Sequence, residues 1–214
     1  MRTAGPVGFD LDLTLINSRP AIMAAWSAVA AELGVLIDLT EVDRRMGAKL
    51  EDEVAYWFPA GEHQAAVDSY RRHYVRLTPA LTFLLPGAGE SLAAVREAGE
   101  RAVIVTAKHP VSVQPSLDAV GLDADEVFAH VHGPEKAVVL ARIGAAVYVG
   151  DTPADMAAGQ AAGTVPVGVP TGSFTVAQLR ASGAQVVLGS LTDFPAWYAG
   201  FRSDLSEGSG SRAY

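Results

Sequence analysis

Val7-Gly8-Phe9-Asp10-Leu11-Asp12-Leu13-Thr14-Leu15 is the stretch from which the fold can be read. A short apolar run, suited to a buried strand, ends in two aspartates one residue apart. Strand geometry points residues i and i+2 to one face. Two carboxylates there repel, and each resists ionisation, unless a cation sits between or beside them. Carboxylate oxygens are hard ligands, so a magnesium ion is the natural neutraliser. A strand end followed by a turn, where Asp is common for conformational reasons, accounts for the same residues. Their partners downstream decide between the two.

The totals narrow the field. With 214 residues the chain holds one domain with a good core, or a core plus a modest insertion. Half the residues are apolar and the formal charge is −8, which argues against a nucleic-acid binder, since phosphate backbones need clustered Lys and Arg. There is no cysteine, so thiol catalysis, disulfides and cysteine-based zinc sites are excluded. Asp10 and Asp12 interrupt the N-terminal apolar run in a way a signal peptide does not tolerate. The other apolar segment, from Ala21 to Leu36, is broken by Ser27, Glu32 and Gly34, short of the roughly 20 residues of a membrane span. These features predict a cytoplasmic protein with no membrane or nucleic-acid partner; whether it is a monomer or a homodimer is left open by the sequence.

After the first strand, Asn17 or Ser18 can cap a helix with Pro20 in its first turn. It runs to about Leu33, stops at Gly34, and carries an apolar stripe of Ile22, Trp26, Val29 and Leu33. Thr40 to about Thr78 also reads as helical, strongest over Glu51–Phe58 and Glu62–Leu77. From Pro86 onward the texture changes. Helices are predicted over 88–98, 111–120, 134–143, 153–162 and 176–181, and from Leu191 to about Phe201. Between them lie strands over 101–106, around 126–131, and over 145–149, 164–169 and 186–188. Continuous apolar strands alternating with helices mean an α/β fold, a parallel sheet covered on both faces. Ser203 to Tyr214 is Ser/Gly-rich and polar and is expected to be a disordered tail. In such sheets, ligands bind beyond the carboxyl ends of the strands. There the sequence places Asp10 and Asp12, then Thr106, then Asp151 with Asp155 one helical turn later.

D-L-D-L-T, V-I-V-T, Lys136 and V-G-D-T-P-A-D resemble the four motifs of the haloacid dehalogenase (HAD) superfamily. Order and spacing match members with a helical cap between the first and second motifs, and the resemblance covers essentially residues 5–200. Val169 to Ser173 and Ala181 to Leu188 also resemble the tail of the phosphoglycolate-phosphatase-like branch. The resemblance implies a Rossmann-like core over 1–16 and 80–202 and a cap over 17–79. It implies a magnesium-dependent phosphatase acting on a small phosphate ester through an aspartyl-phosphate. Asp10 would be the nucleophile, with metal and Lys136 screening charge repulsion beside it. Asp12 would be general acid, then general base, its backbone carbonyl also ligating magnesium. Asp151 would supply the second metal carboxylate. Asp155 would orient Lys136 or a metal-bound water, and the Thr106 hydroxyl would hold a phosphoryl oxygen.

Plainer roles exist for each residue. Asp151 can be a helix N-cap and Asp155 a first-turn acid; Thr106 can be strand filler and Lys136 a solvated lysine at a helix start. Lys108 resembles the T-N-K variant of the second motif and is either a substrate contact or an exposed lysine. Leu13 stands where many relatives carry Gly, Asn or Ser, Asn17 replaces a common Asp, and Ala107 replaces a common Asn. Arg44, Arg45 and Lys49 flank Gly47 and either reach over the site toward an anionic substrate or form a solvated basic turn. His130 and His132 share a face if their strand is regular, but lack a third ligand for a metal. Trp197, Tyr198 and Phe201 are expected to pack the last helix onto the core. Rival functions are a phosphomutase of the same superfamily and a non-catalytic ligand-binding member of the fold.

Overall fold

Residues 4–208 are described by a computed structural model. Its centre is a six-stranded sheet of β1 (Val7–Phe9), β4 (Ala102–Val105), β5 (Glu126–Phe128), β6 (Val147–Gly150), β7 (Val165–Gly168) and β8 (Val186–Val187), in the order β5-β4-β1-β6-β7-β8. Every pairing is parallel, and Val7 lies in register with Ala102 on one side and Val147 on the other. The expected α/β, Rossmann-like sheet is therefore the observed one. The chain runs outward from β1 to β5, then jumps back to β6, so the strand order reverses beside β1. That reversal opens a crevice at the carboxyl ends of β1 and β6.

Period-two alternation explains how both faces are covered. Val7, Phe9, Ala102, Ile104, Val147 and Val149 point into one core with α5 (Ala88–Glu97), α6 (Pro110–Val120) and α10 (Phe194–Gly208). Val103, Val105 and Tyr148 point the other way, onto Leu140 of α7 (Pro134–Ile143). Gly8 belongs to that second face, where a Cβ would lie 2.8 Å from Leu140. The helices α8 (Pro153–Ala161) and α9 (Val176–Ala181) follow β6 and β7. Tyr198 is buried, and Trp197 and Phe201 pack against the same core, as expected.

Between the first strand and α5 lie α1 (Arg19–Leu33), α2 (Leu39–Arg44), α3 (Leu50–Trp57) and α4 (His63–Leu81). They carry their own core, in which Trp26 and Val29 meet Val42, Val54, Phe58, Ala66 and Val67. The crossing between this block and the sheet is a two-stranded antiparallel pair, β2 (Ile16–Asn17) with β3 (Phe83–Leu84). Gly34 ends α1 with φ 67°, as glycine permits.

Three boundaries differ from expectation. The helix expected to end at about Thr78 continues as α4 to Leu81, through Pro79, although proline offers no helical donor. Thr78 Oγ1 donates to the Tyr74 carbonyl one turn back. The strand expected to reach Val131 stops at Phe128, because His130 adopts φ 59°. Residues 203–208, expected as tail, continue α10, while 209–214 lie outside the described residues. Among the described residues no helix is long and apolar enough to cross a membrane.

Candidate active site

The site starts from a tight turn. The Asp10 N–H donates to the Val149 carbonyl, and the Leu11 carbonyl then receives the N–H groups of Thr14, Leu15 and Ile16. Leu11 and Leu15 are fully buried and anchor the loop. Leu13 pays for the turn with φ 60°, a left-handed conformation costing a branched side chain about 1 kcal/mol or more. Gly or Asn would adopt this conformation at lower cost. Thr171 Oγ1 donates to the Leu13 carbonyl and ties the turn to the loop after β7.

At this rim the structure brings together residues far apart in sequence. Lys136, third residue of α7, is buried, with Nζ 2.8 Å from Asp10 Oδ1 and 2.7 Å from Asp155 Oδ1. A solvated lysine is ruled out at this position. The Tyr148 hydroxyl lies 3.0 Å from the same Asp155 oxygen. The other oxygen of Asp155 receives the Thr152 hydroxyl at 2.6 Å and the Thr152 N–H at 3.2 Å, closing a capping box at the start of α8. Asp155 is thus a first-turn acid and a partner of Lys136 at once, one oxygen for each. The N-cap of α8 is Thr152, not Asp151.

Asp151 is buried and accepts from Thr14 Oγ1 at 3.1 Å. A Cβ on Gly172 would fall inside its carboxylate, so any side chain there must displace that carboxylate. Thr106 is buried at the end of β4; its Oγ1 accepts the Lys108 N–H at 3.2 Å, leaving its own hydrogen to donate.

Carboxylate oxygens of Asp10, Asp151 and Asp155 lie within 4.8 Å of one another, the one such group of metal-type ligands among the described residues. Three acids and one ammonium give a formal excess of two negative charges in a buried place. Burial above all, then the neighbouring Asp155, holds Asp10 up at about 7, against the pull of Lys136. Burial and the same acids raise Asp151 well above the ordinary carboxylate range. A compact, all-oxygen, over-charged group of this kind fits a hard divalent cation.

Asp12 departs from the expectation of paired carboxylates on one face. Its carboxylate belongs to a different cluster, with Oδ1 2.8 Å from Lys108 Nζ and 2.5 Å from the Ser18 hydroxyl. The strand rule lapses because β1 ends at Phe9 and the chain then turns. Ser18 stands at the N-cap of α1, yet its hydroxyl serves Asp12, while Asn17 Oδ1 takes the Arg19 N–H. Lys108 is buried rather than exposed, and its Nζ also lies 2.7 Å from the Tyr74 hydroxyl.

Asp10, Asp12, Thr106, Lys108, Lys136 and Asp151 line one cavity of about 210 Å³ between the rim and the helical block. Tyr70, Tyr74 and Arg71 of α4, with Met46, Gly47 and Glu51, form the opposite wall. Arg44, Arg45 and Lys49 do not line it. Arg44 pairs with Glu41 at 2.5 Å, and Arg45 pairs with Glu53 at 2.8 Å and lies over the Tyr56 ring. His130 and His132 share no strand face, yet their rings meet, His132 Nε2 to His130 Nδ1 at 3.3 Å, with His109 edge-on to His130. Burial first, then neighbouring positive charge, lowers His109 and His132. Sequence reading passed over Thr14, Tyr74, Tyr148 and Gly172 as site residues. The four-residue spacing of Tyr70 and Tyr74 marks a shared helix face, but nothing local tells which face meets the rim.

A sequence model of the haloacid dehalogenase-like hydrolases matches residues 7–163. The chain is 30% identical over 207 residues to a phosphoglycolate phosphatase of Cupriavidus necator, covering 87% of this chain and 90% of that protein. It is 28% identical to the probable phosphatase IndB of Dickeya dadantii, covering 86% and 89%. A solved structure described as a predicted phosphoglycolate phosphatase from Haemophilus somnus superposes with a TM-score of 0.80 at 21% identity, covering 92% of this chain and all of that one.

Proposed function

The chain belongs to the haloacid dehalogenase-like hydrolases, and from that membership we propose that it is a magnesium-dependent phosphatase working through a phosphoaspartate on Asp10. The observation that carries this reading is the uncompensated charge of Asp10, Asp151 and Asp155 around a single lysine. Asp10 and Asp151, with Asp155 and the Asp12 backbone carbonyl beside them, would hold the ion, which when bound offsets the charge of an incoming phosphoryl group.

The chain's own residues do the rest. An oxygen of Asp10 bonds to phosphorus as the ester P–O bond breaks. Lys136, fixed by Asp155, keeps its ammonium beside that oxygen, and the Thr106 hydroxyl donates to a phosphoryl oxygen. Asp12 gives a proton to the departing alkoxide. It then takes one from the water that attacks phosphorus, which breaks the Asp10 acyl-phosphate bond and frees inorganic phosphate. Residues 17–79 act as a cap over a core of 1–16 and 80–202, and a cavity of about 210 Å³ suits a small ester. The relative in Cupriavidus necator is named for phosphoglycolate, so that ester heads the trial panel. A cytoplasmic location belongs to the same proposal.

The test is release of inorganic phosphate from a panel of phosphorylated metabolites with magnesium present. Asp10→Asn should lower turnover by at least about 10³-fold, and Asp12→Ala should form acid-stable phosphoenzyme that hydrolyses slowly. Full activity of Asp10→Asn ends the proposal; isomer formation without phosphate release would point to a mutase.

A further inference from the structure

Lys108 is a buried cation outside the cluster that holds Asp10. Its ammonium touches two groups from opposite halves of the molecule, Asp12 Oδ1 at 2.8 Å and the Tyr74 hydroxyl of α4 at 2.7 Å. The Tyr74 ring is itself buried, with Ser116 Oγ 3.4 Å from its hydroxyl. Asp12 Oδ1 therefore receives two donors, Lys108 Nζ and the Ser18 hydroxyl, while Oδ2 has no protein partner among the described residues. The two oxygens of this carboxylate are not equivalent. One is pinned, and the other is left to exchange a proton.

We propose that Lys108 is the positioning residue for Asp12, and that Tyr74 holds Lys108 in place from the helical block, so that the proton passes through Asp12 Oδ2. This rests on the acid–base role given to Asp12 above. A carboxylate free to rotate would spend its time in rotamers that aim neither oxygen at the leaving group, and loss of orientation is costly in a proton transfer. Docking of α4 then becomes a condition of the proton transfer, because α4 supplies the hydroxyl that seats the ammonium. A direct contact between Lys108 and substrate is the competing role, and it makes a different kinetic prediction.

The test compares two esters in the full-length, magnesium-loaded protein. An alkyl phosphate such as phosphoglycolate needs its leaving oxygen protonated, whereas p-nitrophenyl phosphate leaves as a stable phenolate. Lys108→Met should lower kcat/KM for the alkyl ester by about 10²-fold and for the aryl ester by less than about tenfold. Tyr74→Phe, which removes one oxygen and keeps the packing, should shift the same ratio by about threefold or more in the same direction. Should Lys108→Met fail to fold, as judged by circular dichroism, the ratio in Tyr74→Phe decides alone. Equal losses on both esters, or a rise in KM with unchanged kcat, overturn the proposal. Asp10→Asn run beside them separates the two readings. If it is dead on both esters while the Lys108→Met ratio stays flat, the phosphatase reading stands and only the role of Lys108 falls.

Discussion

Two charged regions of this molecule look alike in sequence and behave differently in space. The turn around Gly47 carries Arg44, Arg45 and Lys49; the rim of the sheet carries Asp10, Asp12, Asp151 and Asp155. In the turn, charges find partners close in the chain, Arg44 with Glu41 and Arg45 with Glu53. Arg44 is largely exposed, where such a pair contributes about 0–1 kcal/mol. At the rim, Asp10, Asp151 and Asp155 are buried, come from the ends of two strands, and carry more formal charge than Lys136 cancels, while Asp12 is paired with Lys108. Charge that is cancelled by a neighbour close in the chain needs no ligand. Charge that the fold buries and does not cancel is being kept for a ligand.

The contrast can be broken experimentally, most sharply at the rim. Asp155→Asn sets an amide N–H₂ against either Lys136 Nζ or the Thr152 N–H, both of which donate to the carboxylate, and should lower kcat by about 10²–10³-fold. It also removes one of three crowded negative charges, so the melting temperature should fall less than loss of a buried ion pair would suggest. A large loss of stability with near-normal kcat would make Asp155 structural only.

Gly172→Ala comes next. The added methyl must displace the Asp151 carboxylate, so activity should drop by about 10–10²-fold and more magnesium should be needed for half-maximal rate. Unchanged magnesium dependence would show that Asp151 is not a ligand.

A thermal-shift series with pH tests the excess charge itself. Asp10 is raised from 3.8 to about 7 and Asp151 is raised as well. The folded, metal-free protein therefore holds protons that the unfolded chain has released. Stability should decline as pH rises from about 4 through 7. Magnesium competes with those protons, so its addition should raise the melting temperature more at pH 8 than at pH 5. An equal or larger gain at pH 5 would count against a metal in this cluster.

The smallest effect belongs to the turn. Arg44→Ala should change stability by less than about 0.5 kcal/mol and kcat/KM by less than about twofold. A tenfold rise in KM would bring Arg44 back to the substrate side and erase the contrast.

Sequence by itself determined what depends on local periodicity and on the order of residues along the chain. Continuous apolar strands between helices dictated a parallel sheet, and residues that follow such strands, Asp10, Thr106 and Asp151, had to gather at one rim. Lys136 was marked by its place in a four-part pattern, although as a single lysine at a helix start it carried no distinguishing sign. Tertiary structure alone decided which neighbour each side chain chose. Asp12 sits two residues from Asp10, yet its carboxylate is taken by Lys108 and Ser18. The arginines of the turn faced local acids instead of the cavity, and His130 broke the strand that was to align it with His132. Tyr74 reached the site from a helix whose sequence says only that one face is buried. The physical reason is range: burial patterns are written in residues three or four apart, whereas an ion pair or hydrogen bond between residues 34 to 137 positions apart exists only after the elements have packed.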